Sequence, residues 1–351
     1  MRKLHERCVR TPVFRTLAGS VVVCDAEAAR RVLADTGRRL DHVPAFWRPG
    51  NVRLPPPECV ALNRWVHTCL ADEDPGRAAA DAVETVAAAR GDLHRACLHA
   101  VAGAHRRPLG LENHSDLRAT VGEFLDHVFH DIMTGARRFP DLDTFQRLTA
   151  RAGRAVADGA VPGFPELDPA IRGEVYLRAV TAFAGASAAA LAWLICAQRP
   201  GDLVAATRSK EPVRDLPPEH VALETLRLWP PAWQHRRPVR HDHRIGGLAV
   251  LSGDEIVVPA YALQRHPRYW PDADLFDPGR WARIPRRPEA FLPFATGPGA
   301  CVGARFEVRW LAAAAAHLAE RPPIPLARHG EIPCVTAVFS PPRHTIGPRT
   351  P

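Results

Sequence analysis

The sequence has few of the features that accompany nucleic-acid binding. Only three of its 351 residues are tyrosine, which leaves little side-chain surface for stacking on bases. No helix-turn-helix, zinc-finger or RNA-binding signature accompanies the 46 lysines and arginines. The net charge of +8 is compatible with an acidic protein partner, a phosphate-bearing substrate or nucleic acid, and charge alone does not choose among them. Solvated arginines on helix faces are the simpler interpretation. We expect no nucleic-acid partner.

Cysteine pairs and export signals are also missing. The eight cysteines form no C-x-x-C pair, which argues against both a disulfide framework and a structural zinc site. The charged residues from Arg2 to Arg7 precede no apolar segment of signal-peptide length. The uncharged stretch Ala179–Ala197 is rich in alanine and predicts a buried helix rather than a membrane span. We expect a cytoplasmic protein with mostly reduced, buried cysteines and no membrane partner.

The hydrophobic content of 46% is enough for one large packed core. We predict a single domain: 1–60 is a small β-containing start and loop, 61–230 a helical bundle, and 231–351 a strand pair, an irregular segment, a glycine-rich cysteine loop and a last helix. Periodicity predicts helices at Ala26–Leu33, Gly76–Arg90, Asp116–Met133, Leu142–Ala157, Ala179–Ala197, Glu219–Leu228 and Ala304–Ala319, and strands at Ser20–Cys24, Arg244–Leu251 and Glu255–Pro259. The fold class is mostly α with a small β part (α+β).

The most informative segment places Cys301 in a glycine-rich turn directly before a predicted helix. Backbone N–H groups at a helix start hydrogen-bond sulfur and lower a thiol pKa, and glycines let the backbone pass close to a flat ligand. Taken alone, the turn favours a simple helix cap around a buried cysteine. A dinucleotide loop is disfavoured, because Gly297, Gly299 and Gly303 do not have the G-x-G-x-x-G spacing.

This segment resembles the F-x-x-G-x-R/H-x-C-x-G signature of the cytochrome P-450 family, matched at Phe294, Gly297, Cys301 and Gly303. The resemblance implies the cytochrome P-450 fold, with a long buried helix over haem b and short antiparallel sheets. It also implies that Cys301 is the thiolate ligand of the haem iron. Gly299 stands where the family usually has an arginine or histidine that binds a haem propionate.

Further family marks occur in the expected order. Glu224-Thr225-Leu226-Arg227 resembles the E-x-x-R motif, and the segment from Phe276 to Trp281 resembles F-x-P-x-R-F. The resemblance implies a buried ion-paired triad of Glu224, Arg227 and Arg280. For a haem-propionate arginine it offers Arg236, with Arg237 as a close competitor and Arg64 as a weaker candidate.

The central apolar stretch departs from the family. Ala184-Gly185-Ala186-Ser187-Ala188 resembles A-G-x-D/E-T, in which an acid and a threonine hold water beside iron-bound dioxygen. The oxygen pocket would thus be lined by Ala184, Gly185, Ser187 and Ala188, with Ser187 and Ala188 in place of the acid and the threonine. Protons must then come from the substrate or from water, or are not delivered there.

The resemblance implies a soluble, bacterial-type monooxygenase that oxidises a small, largely apolar specialised metabolite. Electrons would come from a ferredoxin and ferredoxin reductase, with Arg305 and Arg309 helping to dock the donor. The substrate would be read by variable loops at 41–54 and 160–169. Two alternatives stay open: a haem enzyme with atypical chemistry such as coupling, rearrangement or peroxide use, and a non-catalytic partner of another biosynthetic enzyme.

Overall fold

The computed structural model describes residues 1–40, 56–134, 142–198, 215–336 and 338–347. The helices in these residues are α1 Arg2–Arg10, α2 Ala26–Ala34, α3 Pro56–Ala71, α4 Pro75–Ala88, α5 Leu93–Ala104, α6 Ser115–Thr134, α7 Leu142–Ala157, α8 Pro169–Ala197, α9 Pro218–Leu228, α10 Ala260–Leu263, α11 Arg280–Arg283 and α12 Ala304–Ala319. The strands are β1 Val13–Arg15, β2 Val21–Val23, β3 Gly91–Asp92, β4 His235–Pro238, β5 His243–Ile245, β6 Leu248–Val250, β7 Glu255–Val258, β8 Leu326–Arg328, β9 Cys334–Val335, β10 Phe339–Ser340 and β11 His344–Ile346. Long helices with a few short strands confirm the predicted fold class.

Helix α8 runs through the centre of the protein and packs against α5, α7 and α12, while α4 lies against α5 and α12. It begins at Pro169, ten residues before the predicted Ala179, because the Asp168 carboxylate caps it by accepting a hydrogen bond from the Ala170 N–H at 2.8 Å. From Ser187 to Ala197 every residue is buried. By length and apolar content α8 could cross a membrane, yet 78% of its most apolar window is buried within the protein, as in a core helix.

A four-stranded sheet in the order β1-β2-β7-β4 lies beside the helices. The prediction that residues 244–251 form one strand is wrong, because this stretch folds back on itself as the antiparallel hairpin of β5 and β6. Gly246 and Gly247 form its turn with φ values of 53° and 81°, a backbone conformation that glycine adopts readily. The following strand, β7, pairs antiparallel with β4 but in parallel with β2, so this one pairing departs from the short antiparallel sheets that were predicted.

Two of the eight cysteines form a disulfide, which the expectation of mostly reduced cysteines did not identify. Cys8 in α1 and Cys24 after β2 are joined, with their Cα atoms 5.2 Å apart. Both side chains are buried between α1 and the sheet, beside Phe14 and Val22. The pairing arises from the packing of α1 on the sheet. This is a tertiary contact, which the spacing of the cysteines along the sequence does not predict.

Candidate functional site

The loop that carries Cys301 is fixed by its backbone and by α2. The Cys301 N–H donates to the Phe294 carbonyl oxygen at 2.9 Å, which closes the loop ahead of α12. Gly297 has a φ of 72°, and a Cβ atom there would lie 2.8 Å from the Ala34 Cα atom and 2.9 Å from the Leu33 carbonyl oxygen. Only glycine therefore allows the end of α2 to pack on this loop. Phe294 and Gly299 are both half-buried.

Cys301 is a free cysteine at the start of α12; the residue is exposed as a whole, but protein surrounds most of its sulfur. The pKa of the thiol is raised, because desolvation by the surrounding protein outweighs the lowering effect of the Gly303 and Ala304 N–H groups. The negative charge of Glu307 raises the pKa further. The prediction of a lowered thiol pKa is thus wrong in its net direction, although the expected N–H groups are in place. A metal cation on the sulfur would favour the thiolate.

The predicted oxygen-side residues lie on the central helix α8. Ala184, Gly185, Ser187 and Ala188 are all buried. Ala184 and Ala188, four residues apart, share one face of the helix, and Ser187 lies on the adjoining face. A Cβ atom on Gly185 would meet no atom within 4 Å, so there is unfilled space along this part of α8.

Glu307, in the first turn of α12, is a polar residue of this site that sequence reasoning missed. Its Oε2 accepts a hydrogen bond of 2.6 Å from the Ser187 hydroxyl, which links α12 to α8. Its Oε1 is buried and has no hydrogen-bond partner among the described residues. Burial raises the pKa of Glu307 to about 7, against the lowering effect of the Ser187 hydrogen bond.

The sequence did contain a signal for Glu307. The buried residues Trp310, Leu311, Ala314 and Leu318 of α12 recur with helical spacing. Extending that spacing backwards by one turn from Trp310 and Leu311 reaches Glu307, which predicts an acidic side chain on the core face. The helical spacing predicts the core face of α12 as a whole, and Glu307 is an acidic exception on that face.

The three predicted propionate arginines have different surroundings. Arg236 is exposed on β4 and pairs with Glu255 at 2.8 Å. Its neighbour Arg237 points to the other side of the strand and is only 4% exposed. Arg237 donates to the Thr36 hydroxyl at 2.9 Å and to the Arg236 carbonyl oxygen at 2.8 Å, and burial lowers its pKa. Arg64 is exposed on α3.

Arg237 is thus a buried guanidinium without a carboxylate partner in the described part of the chain. A buried charge of this kind is costly unless an anion compensates it. Thr36 follows α2, the helix that packs on the Cys301 loop, so Arg237 lies on the same side of the structure as the loop. Of the three arginines, Arg237 is the one placed to bind an anionic group.

Glu224, Arg227 and Arg280 come together in one buried network. Arg227 holds the Glu224 carboxylate through two hydrogen bonds of 2.9 and 2.8 Å, and Arg280 adds a third of 3.0 Å. The Trp281 ring N–H donates to the other carboxylate oxygen at 3.0 Å. Arg227 also donates to the carbonyl oxygens of Gln264, Ala273 and Leu275. The network thereby fixes the irregular segment that precedes the Cys301 loop.

Of the two predicted substrate loops, only the one at 160–169 lies within the described residues. Residues 41–54 lie outside the described residues. The loop at 160–169 packs under α3, because the Trp65 indole N–H donates to the Pro162 carbonyl oxygen at 3.2 Å. Phe164 lies against the Trp65 ring, with the ring centroids 4.9 Å apart.

Comparison with known proteins matches the second half of the chain to one family. Residues 219–310 match the model of the family described as Cytochrome P450. The chain is 42% identical over 95 residues to Cytochrome P450 4V2 of Homo sapiens and 39% identical over 88 residues to Thromboxane-A synthase of Mus musculus. These segments are 26% and 24% of this chain but only 18% and 16% of those proteins, so the chain matches less than a fifth of their length.

Solved structures match over nearly the whole chain. An open cytochrome P450 EryK from S. erythraea superposes with a TM-score of 0.72 at 18% identity, covering 99% of this chain and 97% of that one. CalO2 superposes with a TM-score of 0.69 at 20% identity, covering 99% and 96%. The hydroxylase HmtN gives 0.69 at 16% identity, covering 96% and 94%. At such low identity the likeness shows a shared fold.

Proposed function

We propose that the chain is a member of the cytochrome P450 family, binds haem through the sulfur of Cys301 and acts as a monooxygenase-type oxidoreductase, because residues 219–310 match that family's model and the whole chain shares its fold. The observation that carries this proposal is the Cys301 loop. A free thiol stands at the start of α12, two N–H groups of the helix start act on its sulfur, and Gly297 holds the loop against α2.

The described residues fit a haem. Arg237 is buried without a carboxylate partner among them, as a propionate-binding arginine would be. The space beside Gly185 is unfilled, and Ala184 and Ala188 present only methyl groups on their face of α8. We assign the propionate contact to Arg237 rather than to Arg236, whose guanidinium already pairs with Glu255.

Bound haem would supply dioxygen binding and electron transfer. The chain's own residues would do the rest. Cys301 would donate electron density to the iron, and the Gly303 and Ala304 N–H groups would stabilise negative charge on the sulfur. Arg237 would neutralise a propionate. The buried alanines of α8 would keep water away from the reacting face.

A second candidate is atypical haem chemistry, such as oxidative coupling, rearrangement or peroxide use. One observation favours it: the residues that replace the family's acid and threonine are Ser187 and Ala188, so the central turn of α8 has no carboxyl group of its own. A serine hydroxyl with its ordinary acidity cannot replace a carboxylic acid as a proton donor.

For the finer assignment we propose haem b, a small and largely apolar substrate from specialised metabolism, a ferredoxin-type electron donor and a cytoplasmic location. Arg305 and Arg309 support the donor, because both are exposed just after Cys301 and would attract an acidic protein. The substrate class is supported by similar structures, one described in complex with erythromycin B and one as a hydroxylase in himastatin biosynthesis.

The test is the absorption spectrum of the reduced protein under carbon monoxide. Wild type and Cys334→Ala, which removes a half-buried cysteine outside the site, should both give the strongly red-shifted band of thiolate-ligated haem. Cys301→Ala should lose that band while keeping the same far-ultraviolet circular dichroism. Folded wild-type protein that takes up no haem would refute the proposal and favour a non-catalytic partner role.

A further inference from the structure

A disulfide near the start of the chain has no part in the proposed function. It joins Cys8 of α1 to Cys24, which follows β2. Both residues are only 1% exposed. They belong to a small apolar cluster that is separate from the main core and includes Phe14, Val22, Val257 and Ala262, with Leu4 packed against it. The contact of α1 with the sheet is therefore a unit of its own, closed by the disulfide.

Helix α1 has only weak contacts with the rest of the protein apart from the disulfide. Cys8 is its one buried residue. The His5 ring donates to the Arg265 carbonyl oxygen at 3.0 Å, and the Arg7 guanidinium lies 4.1 Å from the centre of the Phe14 ring. Such partly exposed contacts contribute little, and a helix of nine residues is barely stable by itself. Breaking the disulfide should therefore let α1 leave the sheet.

The disulfide stands directly before one support of the Cys301 loop. Asp25 follows Cys24 and caps α2 by accepting a hydrogen bond from the Ala28 N–H at 2.9 Å. The other end of α2 packs on Gly297 of the loop. Because α2 is a rigid helix of nine residues, a shift at Cys24 is passed along it to the loop.

A second support of the loop is joined to the residue that His5 binds. Arg265 follows Gln264, whose buried side chain accepts a hydrogen bond from the Leu292 N–H at 2.7 Å. Leu292 precedes Cys301 by about three turns' worth of chain and lies where the loop begins. The same Gln264 amide donates to two carbonyl oxygens at the end of α9. Helix α1 is thus joined to the Cys301 loop on two sides, through α2 and through Gln264.

We propose that the Cys8–Cys24 disulfide is a redox-sensitive clamp, which holds α1 on the sheet and thereby fixes the Cys301 loop. This inference rests on the proposed function and on its cytoplasmic location. A cytoplasm is reducing, and the disulfides that occur there are usually transient or redox-sensing. That setting favours a reversible bond over a permanent one.

The clamp opens by thiol–disulfide exchange with a dithiol protein. Because both cysteines are buried, the exchange follows local opening of α1. A thiolate of the dithiol attacks one sulfur and displaces the other, and the second thiol of the dithiol then resolves the mixed disulfide. Two electrons and two protons pass to this protein, which gains two thiols while the dithiol becomes a disulfide. Hydrogen peroxide reverses the step, since two thiols and one peroxide give a disulfide and two molecules of water.

Thiol counting on the haem-free protein tests whether the bond is reversible. Across glutathione buffers from fully oxidised to fully reduced, with thioredoxin as the dithiol protein, the number of alkylated cysteines should rise from six to eight. Mass spectrometry should place the two added labels on Cys8 and Cys24. A bond that stays closed at the glutathione ratio of a cytoplasm, or eight thiols in every buffer, would overturn the proposal.

Limited trypsin digestion tests whether α1 is released. Reduction should speed cleavage after Arg7 and Arg10, both in α1, because the helix opens more often. Cys8→Ala with Cys24→Ala should be cut at the fast rate with and without reductant. Cys334→Ala, which removes a half-buried cysteine elsewhere, should respond like the wild type. Equal cleavage of the wild type in both redox states would contradict the release of α1, and that comparison needs no substitution.

Haem transfer to apomyoglobin tests the link to the Cys301 loop. Reduction should speed haem loss from the wild type by about 10-fold, the lower end of what disturbed outer supports of a metal ligand cost. The double alanine variant should lose haem at the fast rate in both conditions. An effect of reductant that persists in this variant does not come from the clamp.

The outcomes separate the two proposals. If the wild type takes up no haem, the proposed function fails, while thiol counting and digestion still decide whether the clamp exists. If thiolate-ligated haem is present but leaves at the same rate in both redox states, the effect of the clamp on the loop fails while the proposed function stands.

Discussion

At the scale of single residues, neighbours in sequence have opposite surroundings. Arg236 and Arg237 follow one another on β4, yet one is exposed and paired while the other is buried without a carboxylate partner in the described residues. The alternation of side chains along a strand separates them. Leucine variants of the two residues therefore form a matched test of haem binding, because each variant removes one guanidinium group from the same strand.

Replacing Arg237 with leucine should weaken haem binding by about 10- to 100-fold, the value of one or two charge-assisted hydrogen bonds. The haem-free variant should be as stable as the wild type or more so, since an uncompensated buried charge is lost. Arg236→Leu should leave haem affinity unchanged. Haem transfer to apomyoglobin measures the haem affinity, and urea unfolding measures the stability of the haem-free protein. Equal haem loss in the two variants would contradict the assignment.

His94 should make the protein sensitive to mild acid. It is buried against Phe129, both of its ring nitrogens lack hydrogen-bond partners in the described structure, and burial lowers its pKa to about 4. As the pH falls below the unfolded value of about 6.5, the unfolded chain takes up a proton that the folded protein does not bind. The stability present above pH 6.5 is therefore lost between pH 6.5 and 4.

From this group alone, the free energy of unfolding in urea should fall by about 2 kcal/mol between pH 7 and pH 5. His94→Phe should remove that part of the pH dependence, while His114→Phe, which changes an exposed histidine, should keep it. Identical pH slopes for His94→Phe and the wild type would show that His94 is not the cause.

At the scale of elements, the crossing of α7 and α8 depends on a residue without a side chain. A Cβ atom on Gly173 would lie 1.9 Å from the Thr149 carbonyl oxygen and 2.7 Å from the Gly153 nitrogen, both of them backbone atoms that cannot rotate away. The two helices therefore approach closely only because position 173 is glycine. The start of α8, and with it the placement of Ser187, depends on this contact.

Gly173→Ala should lower the free energy of unfolding by about 1–3 kcal/mol or more, as overpacking does. Gly122→Ala in α6 is the matched control, because a Cβ atom there meets nothing within 4 Å. The free energy of unfolding of that variant should rise by up to about 1 kcal/mol, because alanine has a better helix propensity than glycine. Urea unfolding of both proteins measures the contrast, and two changes of the same sign would disprove the close approach.

At the scale of the whole molecule, one carboxylate joins parts of the chain that have little regular structure of their own. Glu224 of α9 accepts hydrogen bonds from Arg227, Arg280, the Trp281 indole and the Asp277 backbone. The segment between α10 and the Cys301 loop contains only the short helix α11. Its conformation therefore depends on side chains that reach it from elsewhere.

Glu224→Gln should lower the free energy of unfolding in urea by about 3–5 kcal/mol, because two buried guanidinium groups lose their anion. Glu219→Gln changes an exposed acid on the same helix and should cost less than about 0.5 kcal/mol. Limited proteolysis should cut Glu224→Gln first between residues 271 and 300, where the anchoring bonds are lost. Cleavage at the same sites and rates in both variants would contradict this role.

Much of the fold was predictable because its marks are local and ordered. The turn before α12, the E-x-x-R pair and the apolar length of α8 are each readable within a few residues. The Gly246-Gly247 turn was equally local, and the prediction of an unbroken strand there simply missed it. Pairings between distant segments were not predictable: β2 beside β7, and Cys8 against Cys24. The Ser187–Glu307 bond belongs to this group, since sequence alone does not tell which helix faces meet.

The close approach of Gly297 to Leu33 and Ala34 also constrains how this protein can evolve. Any side chain at position 297 collides with the backbone at the end of α2, so the collision cannot be relieved by exchanging the residues at 33 and 34. Relief requires α2 itself to shift. Natural variants that lose the glycine should therefore also carry insertions or deletions around residues 34–40. That stretch and the cysteine loop should thus change together during evolution.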